Sequence, residues 1–149
     1  MFLRRLLART ALCWLVFVAG TLPLRAIELI TAAEAKLPDD SSQTRGLSRG
    51  PVVSLVNPAP TAGLIRAPFD LKVRFESFGG ARIDTDSVVI TYKKVPAIDL
   101  TQRVKTFIDV SGVNVAGVQV PPGEHRIRVD VADSGGRKGW SEFVIRVAP

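Results

Sequence analysis

From Pro51 onward, apolar and polar residues alternate with a period of two. Phe69, Leu71, Val73 and Phe75 interleave with Asp70, Lys72, Arg74 and Glu76 without an error, as expected for a strand with one face buried and the other in water. Val88, Ile90 and Tyr92 oppose Val89, Thr91 and Lys93. The same pattern sets Ile127, Val129 and Val131 against Arg126, Arg128 and Asp130, and Phe143, Ile145 and Val147 against Glu142, Val144 and Arg146. Two more strands are predicted at Val52 to Val56 and Val113 to Val120. Between the strands lie Asn57-Pro58-Ala59-Pro60, Gly79-Gly80, Pro121-Pro122-Gly123 and Asp133-Ser134-Gly135-Gly136, residue types that supply the fixed or positive φ a chain reversal needs. The period breaks between Asp99 and Val110, where Leu100, Val104, Phe107 and Ile108 fall at helical spacing behind an Asp cap. A short helix or crossover is predicted there. Six or seven short strands around one crossover predict an all-β antiparallel sandwich over residues 51–149.

The N-terminal third reads differently. Arg4, Arg5 and Arg9 precede an uncharged, apolar run from Thr10 to Leu24, which ends at Arg25 and Ala26. This is the basic and apolar pattern of a secretory signal peptide over residues 1–26. The uncharged stretch is shorter than the ~20 residues a membrane-spanning helix needs, so cleavage is expected over anchoring. Cut sites are offered at Ala26 and at Gly20, and the competing reading is an uncleaved inner-membrane anchor. Cys13 lacks the small-residue context of a lipidated cysteine and reads as apolar filler. Residues 27–50 carry a short Ala-rich piece, then Asp, Ser, Gln, Thr, Arg and Gly. That composition predicts a flexible linker, with one or two helical turns over Thr31 to Leu37 capped by Thr31 and Glu34.

Charge changes the picture once the leader is subtracted. The chain has 20 basic and 14 acidic residues, a net charge of +6. Residues 1–26 contain four arginines and no acid, so export leaves a nearly balanced domain. Nucleic acid is therefore not an expected partner. The exported domain has no cysteine and must hold together without disulfides.

Pro58 to Phe75 (PAPTAGLIRAPFDLKVRF), Ile83 to Tyr92 (IDTDSVVITY) and Pro121 to Val147 (PPGEHRIRVDVADSGGRKGWSEFVIRV) resemble bacterial Ig-like domains. Such repeats run from a Pro-and-Gly turn into a strand, then through an Asp-x-x-Ser-Val strand, a Pro-x-Gly hairpin and a D-x-x-G turn. The resemblance implies an Ig-like sandwich of about seven strands with a noncatalytic adhesion, presentation or accessory role at the cell envelope. It also implies that His125, which follows the Pro121-Pro122-Gly123 turn, stands in for the corner tyrosine that bonds a backbone carbonyl in such sandwiches.

Candidate chemistry is sparse. Asp133-Ser134-Gly135-Gly136 resembles a serine-protease nucleophile motif, but His125 is the only imidazole in the chain, and a turn with Asp133 bonding its own backbone is the better reading. His125 shares parity with Ile127 and Val129 and is expected to face the core. Asp84, Asp86, Asp130 and Asp133 are candidates for a calcium site, although their spacing matches no known loop and turn bonding explains them more simply. Trp140 opens the last strand and is assigned to the core. Catalytic, cofactor-binding and metal-binding residues are accordingly read as none. The one candidate binding surface is a positive stripe of Lys72, Arg74, Lys93, Arg126, Arg128 and Arg146 on one sheet face. It suits an anionic polysaccharide or lipid surface, or an envelope protein. The reading is an exported, noncatalytic binding or accessory module, periplasmic or secreted. The alternative is a small periplasmic carrier or enzyme using His125, or a calcium-binding sandwich.

Overall fold

The computed structural model describes residues 26–42 and 49–149; residues 1–25 of the expected signal peptide and 43–48 of the expected linker lie outside the described residues. The strands are β1 (Ile27–Glu28), β2 (Val52–Asn57), β3 (Phe69–Glu76), β4 (Ile83–Tyr92), β5 (Ile98–Asp99), β6 (Ile108–Asp109), β7 (Gly112–Gln119), β8 (Gly123–Asp133) and β9 (Lys138–Val147). Two short helices, α1 (Ala32–Ala35) and α2 (Thr101–Val104), complete the set, the second running into a 3₁₀ turn over Lys105–Phe107.

These strands form two sheets. One has the order β1-β7-β3-β2 with β6 also on β7, and the other has the order β5-β4-β8-β9. Every pairing is antiparallel except β1 with β7. The all-β sandwich follows from the alternation directly. On β3 the buried residues are Leu71, Val73 and Phe75, and on β8 they are His125, Ile127, Val129, Val131 and Asp133. Valine and isoleucine dominate this interior because β-branched side chains pack well on a pleated, half-buried surface. The predicted crossover is present as α2 and its 3₁₀ turn. Leu100 and Val104 are completely buried there, and the Thr101 hydroxyl accepts the Ile90 N–H at 2.9 Å.

Residues 27–42 are not a tether. They form a strap, which packs on the sandwich through Leu29 and Ile30, each 1% exposed. Burying two such side chains contributes roughly 1.5–3 kcal/mol each. The strap's local structure is the predicted capping box: the Thr31 hydroxyl accepts the Glu34 N–H at 3.2 Å, and Glu34 Oε2 accepts the Thr31 N–H at 2.9 Å. What binds the strap to the body is long-range. Arg103 of α2 donates to both Glu34 oxygens at 2.5 and 2.9 Å and to the Leu29 carbonyl at 2.7 Å. A four-residue helix is unstable alone; here the bidentate arginine and the buried pair hold it.

Candidate functional site

The expected positive stripe divides. Lys72 and Arg74 point outward from β3 in the first sheet, while Arg126 and Arg128 on β8 and Arg146 on β9 point outward from the second. The two sets lie on opposite faces of the sandwich. Strand parity separates inward from outward but says nothing about which sheet a strand joins, and β8 and β9 pair with β4 and each other, not with β3.

On the second sheet the arginines are occupied. Arg128 chelates Asp130 at 2.8 and 2.7 Å, Arg146 Nε donates to Glu124 at 3.0 Å, and Arg126 lies 3.5 Å from Glu142. Arg128 also lies over the Trp140 ring, 4.6 Å from its centroid. Trp140 is therefore not in the core as expected. It is half-buried and opposite Asp130 on the outer face, because it shares parity with Glu142, Val144 and Arg146.

Lys93 is not a surface cation either. It is 7% exposed, and its ammonium donates to Asp40 Oδ2 at 2.5 Å and to the Ser42 hydroxyl at 3.1 Å. That bond, with the Ser42 contacts behind it, holds the Asp40 carboxyl well below the usual carboxylate range. Lys94 is buried further, and its three donors are all used: on the Ala35 carbonyl at 3.1 Å, the Leu37 carbonyl at 2.9 Å and Asp39 at 2.6 Å. Two of these acceptors are carbonyls at the C-terminal end of α1, where a cation is favoured. Burial works against the Lys94 ammonium, but the Asp39 bond and the Tyr92 ring, 5.3 Å away, outweigh it and raise its pKa above the ordinary value.

Beneath Lys94 lies the single imidazole. His125 is 2% exposed and Tyr92 is fully buried. The ring's Nε2 lies 2.7 Å from the Pro121 carbonyl, which can only accept, so Nε2 carries the proton. Nδ1 then accepts from the Tyr92 hydroxyl at 2.9 Å. Both nitrogens are satisfied inside the protein, and burial lowers the ring's pKa below its ordinary value. A groove of about 480 Å³ between the strap and the chain end is lined by Pro121 and Pro122 but not by His125.

Ser134 is out of reach of this ring. It follows β8 at the opposite end from His125, roughly 30 Å away at strand rise. Asp133 Oδ1 accepts the Gly135 and Arg137 N–H groups at 2.9 and 3.1 Å, and its Oδ2 accepts Arg137 Nε at 2.9 Å. Burial would raise this carboxyl's pKa, yet those bonds lower it. Asp84 accepts the Asp86 N–H at 3.1 Å, and Asp130 holds Arg128. The carboxylates of Asp84, Asp130 and Asp133 thus have local partners, Asp86 enters only through its backbone N–H, and no three metal-ligating side chains converge among the described residues.

This leaves Lys72 and Arg74. Arg74 meets its nearest carboxylate, Glu76, at 3.9 Å with both side chains over half exposed, too loose to matter much in water. Lys72 makes no ion pair among the described residues. Their neighbours on β7 are Asn114 opposite Lys72 and Gly112 opposite Arg74. Gly112 adopts φ +147°, and a Cβ there would fall 1.9 Å from the Val73 carbonyl oxygen. The glycine lets β7 close against the β3 backbone, and beside it lies a shallow shelf of about 320 Å³ bordered by Lys72, Arg74, Asp109, Ser111 and Asn114.

Among the described residues, no helix is long and apolar enough to cross a membrane. No protein-family model matches the chain, and no curated protein matches it.

Proposed function

We propose that the protein is an exported, noncatalytic Ig-like module of the cell envelope that binds an anionic partner through the outer face of the β1-β7-β3-β2 sheet. The observation that carries this reading is the contrast between the two faces. Arg128 and Arg146 on the β5-β4-β8-β9 face each meet a carboxylate at hydrogen-bonding distance, whereas Lys72 has no carboxylate partner among the described residues and Arg74 meets Glu76 only at 3.9 Å, beside a shelf on which Asp109 is the one acid. Exposed cations that are not already paired attract phosphate, sulfate or carboxylate groups without first breaking a bond. The imidazole supports a structural role, since general-base or ligand chemistry needs a free nitrogen and both of its nitrogens face the interior.

The test is binding of the Lys72→Ala/Arg74→Ala variant to vesicles containing anionic lipid and, separately, to a soluble sulfated polysaccharide. At about 1 kcal/mol per cation near a charged surface, the double variant is expected to bind roughly thirtyfold more weakly than wild type. The Arg126→Ala/Arg128→Ala variant should bind like wild type. Loss in the second variant with retention in the first would reverse the assignment of the face. Binding of neither probe by the wild-type protein would remove the anionic partner.

A further inference from the structure

The strap is held over a polar chain that begins inside the core. The Pro121 carbonyl accepts from His125, His125 accepts from Tyr92, the Tyr92 ring underlies the Lys94 ammonium, and Lys94 holds the end of α1 and Asp39. This arrangement is independent of the anionic-partner reading. We propose that His125 is a proton-operated latch for the N-terminal strap: adding a proton to its ring loosens residues 27–42 from the sandwich and uncovers the outer edge of β7.

The geometry allows one place for the proton. Nε2 is already donating, so the new proton goes to Nδ1, which changes from acceptor to donor. The Tyr92 hydroxyl must then turn its hydrogen away and accept. The bond then runs in the opposite direction, leaves the phenol hydrogen to seek another acceptor in the interior, and puts a second positive charge behind the Lys94 ammonium. The groups facing the ring can be named element by element. From β4 comes Tyr92, from the segment just after it Lys94, from the strap Asp39, from β9 the apolar Ile145, and from the turn only the Pro121 carbonyl. Lys94 opposes the imidazolium more strongly than Asp39 favours it. Glu34 and Asp39 are committed to Arg103 and Lys94, so neither is free to neutralise the new charge while the strap is seated. Lifting the strap releases Lys94 toward solvent and relieves the repulsion.

Glu34 and Asp40 do not compete as switches in mild acid. The Arg103 bonds hold the Glu34 pKa down at about 2, and the Lys93 bond holds Asp40 below the carboxylate range. Both clips therefore stay ionised from pH 7.5 to 5. Opening of the strap would expose the Gln119 carbonyl, which now accepts the Leu29 N–H at 3.0 Å, and the Pro38 carbonyl contact to the Val95 N–H at 2.9 Å. Those amides report the motion.

Amide hydrogen exchange of the protein from pH 7.5 to 5, corrected for intrinsic rates, tests the latch. The Leu29, Ala35 and Val95 amides are expected to exchange through a local opening that grows by up to about tenfold per pH unit below about 6.5. His125→Gln offers an amide oxygen to Tyr92 and an N–H to Pro121 but cannot titrate, and it should abolish that dependence. The proposal is overturned if strap opening is independent of pH, if the same dependence persists in His125→Gln, or if strap amides exchange only together with the sheets. Should His125→Gln not fold, the single imidazole of the wild type can be followed by NMR. Its titration must shift the strap amides in step; titration that leaves them unmoved, or no titration in this range, overturns the latch.

Discussion

Replacing Gly139 by alanine is expected to destabilise the protein by about 3 kcal/mol or more, lowering the melting temperature by about 12 °C or more. Gly139 sits where the edge of one sheet meets the edge of the other. A Cβ built on it falls 1.9 Å from the Pro51 carbonyl oxygen and 2.8 Å from the Pro51 carbonyl carbon. The contact is reciprocal, since a Cβ on Gly50 falls 2.2 Å from the Lys138 carbonyl carbon. Backbone, unlike the end of a flexible side chain, has no rotamer by which to yield. Either β9 must shift from β8 or the entry to β2 must lift, and both moves open the core around Val53 and Val131. Gly63→Ala is the control: nothing lies within 4 Å of its Cβ position, and its melting temperature should match wild type. Equal melting of the Gly139→Ala protein would mean that the two edges do not touch this closely.

How much of this was legible beforehand depends on the range of the interaction concerned. The alternation of Phe69 to Glu76 marks β3, and the helical spacing of Leu100 and Val104 marks the crossover, because each records whether a side chain meets water or core. The parity of Trp140 with Glu142 and Val144 was equally readable and places the indole outside; aromatic size was the misleading signal. Sheet membership is another matter. Nothing local separates the outward Lys72 from the outward Arg128, so alternation alone predicts a single stripe where the fold makes two faces. The strap is the clearest case. Its capping box is written in Thr31 and Glu34, but the partners that make it part of the domain are Arg103, Lys94 and Lys93, some 50 to 70 residues away in the chain. A polar, Ala-rich segment looks like a tether until those partners are known. Lys93, just past β4, reads in the sequence as part of the surface stripe, whereas its ammonium and that of Lys94 turn inward to clasp the strap.

His125→Ala is expected to cost about 4 kcal/mol, more than truncation of a surface histidine, which is usually within about 0.5 kcal/mol. Part of the loss is the cavity left at a site 2% exposed. The rest comes from the Tyr92 hydroxyl and the Pro121 carbonyl, both left without a partner in the interior. The pH dependence of stability supplies the complementary test. Burial depresses the folded-state pKa of His125 below its ordinary 6.5, so the unfolded chain binds a proton at a pH where the folded protein does not. Stability from this source is complete above about pH 6.5 and declines as the pH falls from there toward the folded value, by at most about 1.4 kcal/mol per unit. Denaturant titrations at pH 7.5, 6.5 and 5.5 should show that decline in wild type and its absence in His125→Ala. The outcome separates the structural reading from the alternative in which this histidine serves a carrier or an enzyme. A ring held for chemistry faces a ligand, and its removal would leave the fold's stability and its pH slope unchanged. A ring that joins two buried partners takes both with it.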